Sequence, residues 1–286
     1  MNKLMKNKRE IAILMATYNG EKYLSQQIDS IIDQSFSDWT LYIHDDGSND
    51  GTIELIHQYC KKDDRIVFID RIGKHLGPGY GFMELLHIVE SDLYMFCDQD
   101  DVWLKDKIRI TFDTYHSIPK FSIIPVVVHS DVSVVDEDLN IMARSYWKDI
   151  NLNPDKINTF DYLCVSCYTN GNTMLFNSAA KELCFPLIDE IIMHDKYVSS
   201  RVLLHGGVVQ AIHVPLVLYR QHGKNVCGFR VGKETSIFER VKHLPQVFTS
   251  NINEYRLLKN YEFGSFLRFI FIKIKLEIKM HFFNQY

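Results

Sequence analysis

The sequence has no excess of positive charge, no long apolar run and no second pair of metal-binding cysteines, and each absence removes a class of protein. Its 32 Lys and Arg stand against 36 Asp and Glu, a formal net charge of -4 over 286 residues. Contacts to nucleic-acid phosphates need a basic surface, which only the C-terminal tail could supply, so no nucleic-acid partner is expected. No window reaches the about 18 consecutive apolar residues that a membrane-spanning helix requires. Cys164 and Cys167 form a lone C-x-x-C without a matching ligand pair, which points to buried thiols rather than to zinc. No signal peptide opens the chain, so the six cysteines are expected to be reduced thiols of a cytoplasmic protein. Internal repeats, low-complexity stretches and Pro/Gly-rich linkers are likewise absent from the first 228 residues.

What is present is bulk for a core, with 46% apolar and 13% aromatic residues. Charge is unevenly divided. Residues 229–286 hold ten Lys and Arg and five Asp and Glu, leaving residues 1–228 clearly acidic. The expected organisation is one domain over 1–228 followed by a basic, amphipathic extension over 229–286.

Residues 11–16 (IAILMA) form a short apolar run, as in a strand covered on both faces. An amphipathic helix follows over 21–35, and the alternation repeats with strands at 40–44, 66–69 and 93–97 and helices at 52–61 and 80–90. This rhythm builds an α/β fold with a mostly parallel sheet, whose ligands bind beyond the carboxyl ends of the strands. After Asp101 the pattern loosens: an apolar run at 123–128, helices at 178–184 and 195–204, and two short strands at 208–213 and 216–219.

The strand ends carry the chemistry. The first closes in Thr17-Tyr18-Asn19-Gly20, the second in Asp45-Asp46-Gly47-Ser48-Asn49-Asp50-Gly51-Thr52, and the fourth in Asp98-Gln99-Asp100-Asp101. A loop with two carboxylates, two glycines and short hydroxyl side chains turns sharply, caps a helix and accepts hydrogen bonds from a base or ribose. Carboxylates at i and i+2 of an extended segment point the same way, so the Asp98, Asp100, Asp101 cluster suits a hard divalent cation, Mn²⁺ or Mg²⁺. Such an ion joins an acidic pocket to a diphosphate and stabilises it as a leaving group. Plain alternatives exist for both segments: a helix-capping loop, and a solvated acidic turn before a helix starting near Trp103.

Taken in order, ATYNG, DDGSNDGT, CDQDD and MHDK resemble the family 2 glycosyltransferases, inverting enzymes of the GT-A fold, over roughly residues 10–225. The continuations DQDDVWL and YRQHGKNV resemble the bacterial branch containing rhamnosyltransferases of surface polysaccharides. The resemblance implies that Thr17, Tyr18 and Glu21 surround the nucleotide, that Asp46 contacts the pyrimidine and that Asp98 approaches the ribose. It makes Asp100 the principal metal ligand and His222 a further metal or diphosphate contact. It runs the acceptor beside residues 170–177. Relatives of this branch often carry a basic residue in the loop that reads His75-Leu76-Gly77-Pro78-Gly79-Tyr80-Gly81-Phe82 here, and this loop lacks an Arg or Lys for the donor phosphates.

Inverting displacement needs a base for the acceptor hydroxyl. In Ile191-Ile192-Met193-His194-Asp195-Lys196-Tyr197 an acid stands at the start of a helix, and the family's catalytic base falls on Asp195; helix capping is the alternative, and His194 ranks second as base. In the tail, FLRFIFIKIKLEIKM (266–280) mixes apolar bulk with Arg268, Lys273, Lys275 and Lys279. Such a segment suits an anionic membrane surface, or packs on the catalytic domain or on a second subunit as a homodimer. The expected activity is transfer of one sugar from a UDP- or dTDP-linked donor to a hydroxyl of a lipid-linked surface glycan. A sugar-1-phosphate nucleotidyltransferase would want a glycine-rich basic loop after the first strand, and a non-catalytic nucleotide-sugar scaffold would not need Asp195.

Overall fold

The computed structural model describes residues 5–6, 9–70, 75–166, 168–188, 190–191, 193–223, 225, 252 and 254–282. In chain order these form β1 (Met5–Lys6), β2 (Ile11–Thr17), α1 (Leu24–Ile32), β3 (Trp39–Asp45), α2 (Thr52–Lys62), β4 (Ile66–Phe68), α3 (Gly77–Ile88), β5 (Val89–Glu90) and β6 (Leu93–Cys97). The second half adds β7 (Val102–Trp103), α4 (Lys107–Ser117), β8 (Val126–Val135), β9 (Ile141–Ala143), α5 (Tyr146–Asp149), α6 (Phe160–Val165), β10 (Leu175–Asn177), α7 (Ser178–Glu182), α8 (His194–Leu204), β11 (Val208–Arg220) and α9 (Phe266–Phe282).

One sheet runs in the order β4-β3-β2-β6-β10-β8-β11-β7, with β9 on β8. The β2, β3, β4 and β6 pairings are parallel, β10 is antiparallel to both its neighbours, and β8 and β11 are parallel again. The sheet is therefore mixed in the half where the sequence rhythm loosens, after Asp101. Successive residues of β2 alternate between two cores: Ala12 and Leu14 join Phe82, Phe96 and Phe176 on one face, and Ile11, Ile13 and Met15 join Ile28, Ile108 and Val128 on the other. This two-sided burial explains why the strand reads as an unbroken apolar run.

Three expectations change. The two short strands at 208–213 and 216–219 are one 13-residue strand, β11, because register shifts on either side of Pro215 absorb the proline without ending the pairing with β8. Trp103 does not start a helix; it pairs in β7 with Val217, and α4 begins four residues later. The strand read at 123–128 begins at Val126 and runs through Asp131, which lies buried within it and accepts from the backbone N–H groups of Val132 (2.8 Å) and Trp147 (3.2 Å).

The described part of the tail packs on the core of the preceding domain. Phe269, Ile272 and Leu276 of α9 are buried in the cluster that also holds Leu163, Cys164, Tyr197 and Val198. Arg268 pairs with Asp161 at 2.8 Å and Lys273 with Glu254 at 2.5 Å. The opposite stripe, Leu267, Phe271, Ile274 and Ile278, is exposed. No helix among the described residues is long and apolar enough to cross a membrane. Cys60, Cys97, Cys164 and Cys184 are unpaired thiols, while Cys167 and Cys227 lie outside the described residues.

Candidate active site

The carboxyl ends of β2, β3 and β6 open onto one cavity of about 970 Å³, closed on its far side by the loop before β10, the start of α8 and the end of β11. Side chains stitch the three strand ends together. Asp45 holds its own turn by accepting from Gly47 N (3.1 Å) and Ser48 N (2.7 Å), and it reaches across to Thr17 Oγ1 (2.8 Å). Asn19 adopts the left-handed region at φ 48°, which asparagine tolerates, and its side-chain oxygen accepts from Asn49 N (2.9 Å). The Gln99 amide exchanges two 3.0 Å bonds with the Tyr18 backbone. A Cβ on Gly20 would stand 2.2 Å from Gln99 Oε1, so a larger residue there would push the Gln99 amide off these bonds.

Thr17, Tyr18 and Asp46 all line the cavity. Thr17 is buried, whereas Tyr18 is exposed with its ring 5.0 Å from that of His75. The Asp46 carboxylate accepts from Leu76 N (2.7 Å) and Gly77 N (2.8 Å), at the entry to α3, and lies 3.0 Å from His75 Nδ1. It therefore caps a helix, but α3 rather than the helix that follows its own loop, and it fixes the wall loop carrying His75. Glu21 is not in the cavity wall; its carboxylate accepts from Gly51 N (3.0 Å) and ties the first two loops together.

The acidic cluster lies past the end of β6, where the chain bends at Gln99 and Asp100, and its carboxylates divide. Asp98 and Asp100 face the cavity, while Asp101 turns into the protein, where it is 1% exposed and accepts from Asn172 Nδ2 and from Arg220 N (3.0 Å). Asp101 is thus a structural clamp between β6, the loop before β10 and β11, and does not join its neighbours on the cavity. Seclusion from water, with the charges of Asp100 and Asp195 adding to it, raises the Asp98 pKa well above the usual carboxylate range. Crowded carboxylates of this kind are relieved by a cation.

His222 Nε2 lies 2.7 Å from Asp100 Oδ2, and its ring stacks on Tyr23 at 5.0 Å. Among the described residues no three His, Cys, Asp or Glu side chains form a cage that would hold an ion unaided. One carboxylate and one imidazole beside a second carboxylate fit a divalent ion that brings oxygen ligands from a diphosphate, the usual arrangement for Mg²⁺. Arg220, missed in the sequence, positions this group. It is 1% exposed, donates from Nε to Asp100 O (2.8 Å), from Nη2 to Gln26 Oε1 (2.6 Å) and from Nη1 to Glu137 O, and covers the Tyr23 ring at 4.6 Å.

Asp195 stands across the cavity in the first turn of α8. The N-cap is Met193, which offers no side-chain cap, so Asp195 is not the capping residue. Its Oδ2 accepts from Gly171 N (3.1 Å) and its Oδ1 from Lys196 N (2.6 Å). Lys22 and Glu137, also overlooked in the sequence, form a 2.5 Å ion pair in the wall. Nothing in their spacing marks them, because they meet across 115 residues.

Comparison with known proteins identifies the family and the fold. The model of glycosyl transferase family 2 matches residues 12–184. A dTDP-rhamnosyl transferase, RfbG of Shigella flexneri, is 26% identical over 227 residues, 76% of this chain and 74% of that protein. An uncharacterised glycosyltransferase of Nostoc is 28% identical over 227 residues, 76% of this chain and 66% of its own. Among solved structures, S. aureus TarS 1-349 in complex with UDP-GlcNAc superposes with a TM-score of 0.55 at 18% identity, covering 89% of this chain and 71% of that one. The Pyrobaculum calidifontis mannosyltransferase in complex with GDP-Man and Mn²⁺ gives 0.53 at 15% identity, covering 89% and 69%. The curled mixed sheet flanked by helices is the GT-A fold, and the chain belongs to glycosyl transferase family 2.

Proposed function

We propose that this glycosyltransferase moves one sugar, with inversion, from a nucleoside-diphosphate sugar to a hydroxyl of a lipid-linked bacterial surface glycan. The observation that carries the reading is the convergence of Asp98 and Asp100 from one side and Asp195 from the other on a single cavity. Likeness to a dTDP-rhamnosyl transferase favours a dTDP- or UDP-linked donor and a place in polysaccharide biosynthesis.

In this reading the nucleotide lies along the β2 and β3 ends, against Thr17, Tyr18 and Asp46, with Asp98 at the ribose; Glu21 acts through the loop it fastens. Asp100 and His222 would hold Mn²⁺ or Mg²⁺ together with the diphosphate, and the ion would supply charge neutralisation for the leaving group. Asp195 accepts the proton of the acceptor hydroxyl as its oxygen attacks the anomeric carbon. The bond to the diphosphate oxygen breaks on the opposite face, and its electron pair leaves with the nucleotide. Gly171 N and Lys196 N hold the base in place, so little reorganisation precedes proton transfer.

The tail gives the enzyme its place. Leu267, Phe271, Ile274 and Ile278 recur at four-, three- and four-residue intervals on the exposed side of α9, with the Lys275 ammonium 4.4 Å from the Phe271 ring. We assign this stripe to the inner face of the cell membrane, beside a lipid-linked acceptor.

Asp195→Asn tests the reading. The amide is close to isosteric but cannot take a proton, so nucleotide binding should persist while transfer falls about 10²–10⁴-fold. Turnover within a few-fold of wild type in a folded variant would place the base elsewhere.

A further inference from the structure

The cavity wall is acidic. Asp46, Asp98, Asp100, Glu137 and Asp195 all line it, and a diphosphate brought into it would add further negative charge. One divalent ion at Asp100 and His222 cannot balance that sum, because Asp98 and Asp100 already answer its charge. Three histidines share the wall, but none is a spare cation. His75 and His222 lie against Asp46 and Asp100, at 3.0 and 2.7 Å. His194 packs on Phe82 and Gly171, and its burial lowers its pKa to about 4, so the ring is uncharged at neutral pH. Among the described residues that line the cavity, Lys22 carries the one remaining positive charge.

Two sets of contacts place this ammonium at the Asp100 end of the cavity. Lys22 Nζ lies 4.8 Å from the centre of the Tyr23 ring, and the same ring stacks on His222, the partner of Asp100. Lys22 also donates to Glu137 Oε2 at 2.5 Å, a bond that raises its pKa and keeps it charged. The Glu137 carbonyl accepts from Arg220 Nη1, while Nε of the same guanidinium donates to Asp100 O at 2.8 Å. Glu137 and Asp100 are thus held on one guanidinium, and the ammonium rests beside them. The Lys22 side chain is 66% exposed and that of Glu137 48%, so packing does not seat the pair. Exposed ion pairs are weak, and a lysine ammonium on its flexible four-carbon stem changes acceptors readily.

We propose that Lys22 binds the diphosphate of the donor: Glu137 holds its ammonium at rest, and a phosphate oxygen of the nucleoside diphosphate takes it over on binding. The ligand class is a nucleoside diphosphate read through its phosphates, not through its base. No covalent bond changes and no proton moves; the ammonium exchanges a carboxylate for a phosphate, and Glu137 is the competitor. Lys22 thereby supplies the positive charge that the loop from His75 to Phe82, without Arg or Lys, does not. The inference rests on the glycosyl-transfer reading and specifies its donor site.

Calorimetric titration of the full-length protein with UDP and dTDP in the presence of Mn²⁺ reads the contact, with uridine and thymidine measured by competition. Lys22→Met should bind the diphosphate about three- to tenfold more weakly, the worth of one hydrogen bond at a partly exposed site, and should bind the nucleoside as wild type does. Glu137→Gln should bind the diphosphate more tightly, because the competing charge is gone while the backbone carbonyl held by Arg220 remains. The opposite signs are the signature of the exchange, since a pair that only braced the wall would weaken binding when either partner is lost. Both side chains are exposed, so both variants should melt as wild type does. Unchanged diphosphate affinity in Lys22→Met would overturn the inference, as would an equal loss for diphosphate and nucleoside. Unchanged or weaker diphosphate affinity in Glu137→Gln would overturn it too. The underlying reading fails separately: a wild-type protein that binds neither UDP nor dTDP would overturn glycosyl transfer itself, whereas one that binds either, with Lys22→Met equal to it, would overturn only the role of Lys22.

Discussion

Replacing Arg220 by methionine keeps most of the buried stem but removes the guanidinium that joins the end of β11 to the acidic loop. Its bond to Asp100 O is charge-assisted and secluded, and counts for about 1.5–3 kcal/mol. The bonds to Gln26 and Glu137 end on exposed residues, where water takes over much of their role. Loss of the contact with Tyr23 adds about 0.5–1 kcal/mol. The expected loss is about 3 kcal/mol, a substantial part of the about 5–15 kcal/mol that stabilises a typical domain. At about 2–4 °C per kcal/mol for a chain of this order of size, the melting temperature should fall by about 6–12 °C. Nucleotide affinity in the presence of Mn²⁺ should fall as well, because the Asp100 backbone loses its anchor. Calorimetric melting and titration with UDP or dTDP measure both. A melting temperature within 2 °C of wild type, with unchanged metal-dependent affinity, would refute the role given to Arg220.

Three further outcomes follow from particular residues. Asp195→Asn should bind Mn²⁺ and nucleotide as wild type does while losing transfer by about 10²–10⁴-fold, read by single-turnover product formation. Burial, assisted by His213, lowers the His129 pKa to about 3, whereas the unfolded residue titrates near 6.5. The folded state thus binds fewer protons, and the stabilisation is complete above about pH 6.5 and is lost as pH falls from there toward 3; urea melts at pH 7.5 and 4.5 should show a smaller difference for His129→Leu than for wild type. In the tail, Leu267→Ser, Phe271→Ser, Ile274→Ser and Ile278→Ser combined should abolish co-sedimentation with anionic vesicles while leaving the melting temperature nearly unchanged, since these side chains are exposed in the protein. Undiminished vesicle binding would reject the membrane role, and loss of a dimer in the same variant would assign the stripe to a second subunit.

The first half of the sheet was legible because its central strands are buried on both faces and end in turn chemistry, so apolar run and polar end coincide, as in Ile11–Thr17 and Leu93–Cys97. Pro215 misled because a proline normally ends a strand, and only the tertiary pairing with β8 shows that the register shifts around it. At the acidic loop, Asp98, Asp100 and Asp101 read together as one cluster, because the bend past β6 and the partners Asn172 and Arg220 that turn Asp101 inward leave no mark in the local sequence. The partners of Asp46 are backbone amides of Leu76 and Gly77, which leave no mark in side-chain patterns. Arg220 and Gln99 are single polar residues whose partners lie 81 or more positions away in sequence, beyond the reach of any local rule. The tail was ambiguous for a physical reason: α9 is apolar on both sides, so its pattern alone cannot say that Phe269, Ile272 and Leu276 face inward and Leu267, Phe271, Ile274 and Ile278 outward.

The most direct test of the account is the release of nucleoside diphosphate from a panel of UDP- and dTDP-sugars, measured with Mn²⁺, with chelator, and with Mn²⁺ in the Asp100→Ala variant. At least one donor should be turned over by the wild-type protein with Mn²⁺, and chelator and Asp100→Ala should each abolish that turnover, because the ion loses its carboxylate on the protein. Turnover that persists in chelator or in the folded variant would contradict the metal site, and a panel with no turnover and no nucleotide binding would contradict the glycosyl-transfer reading itself.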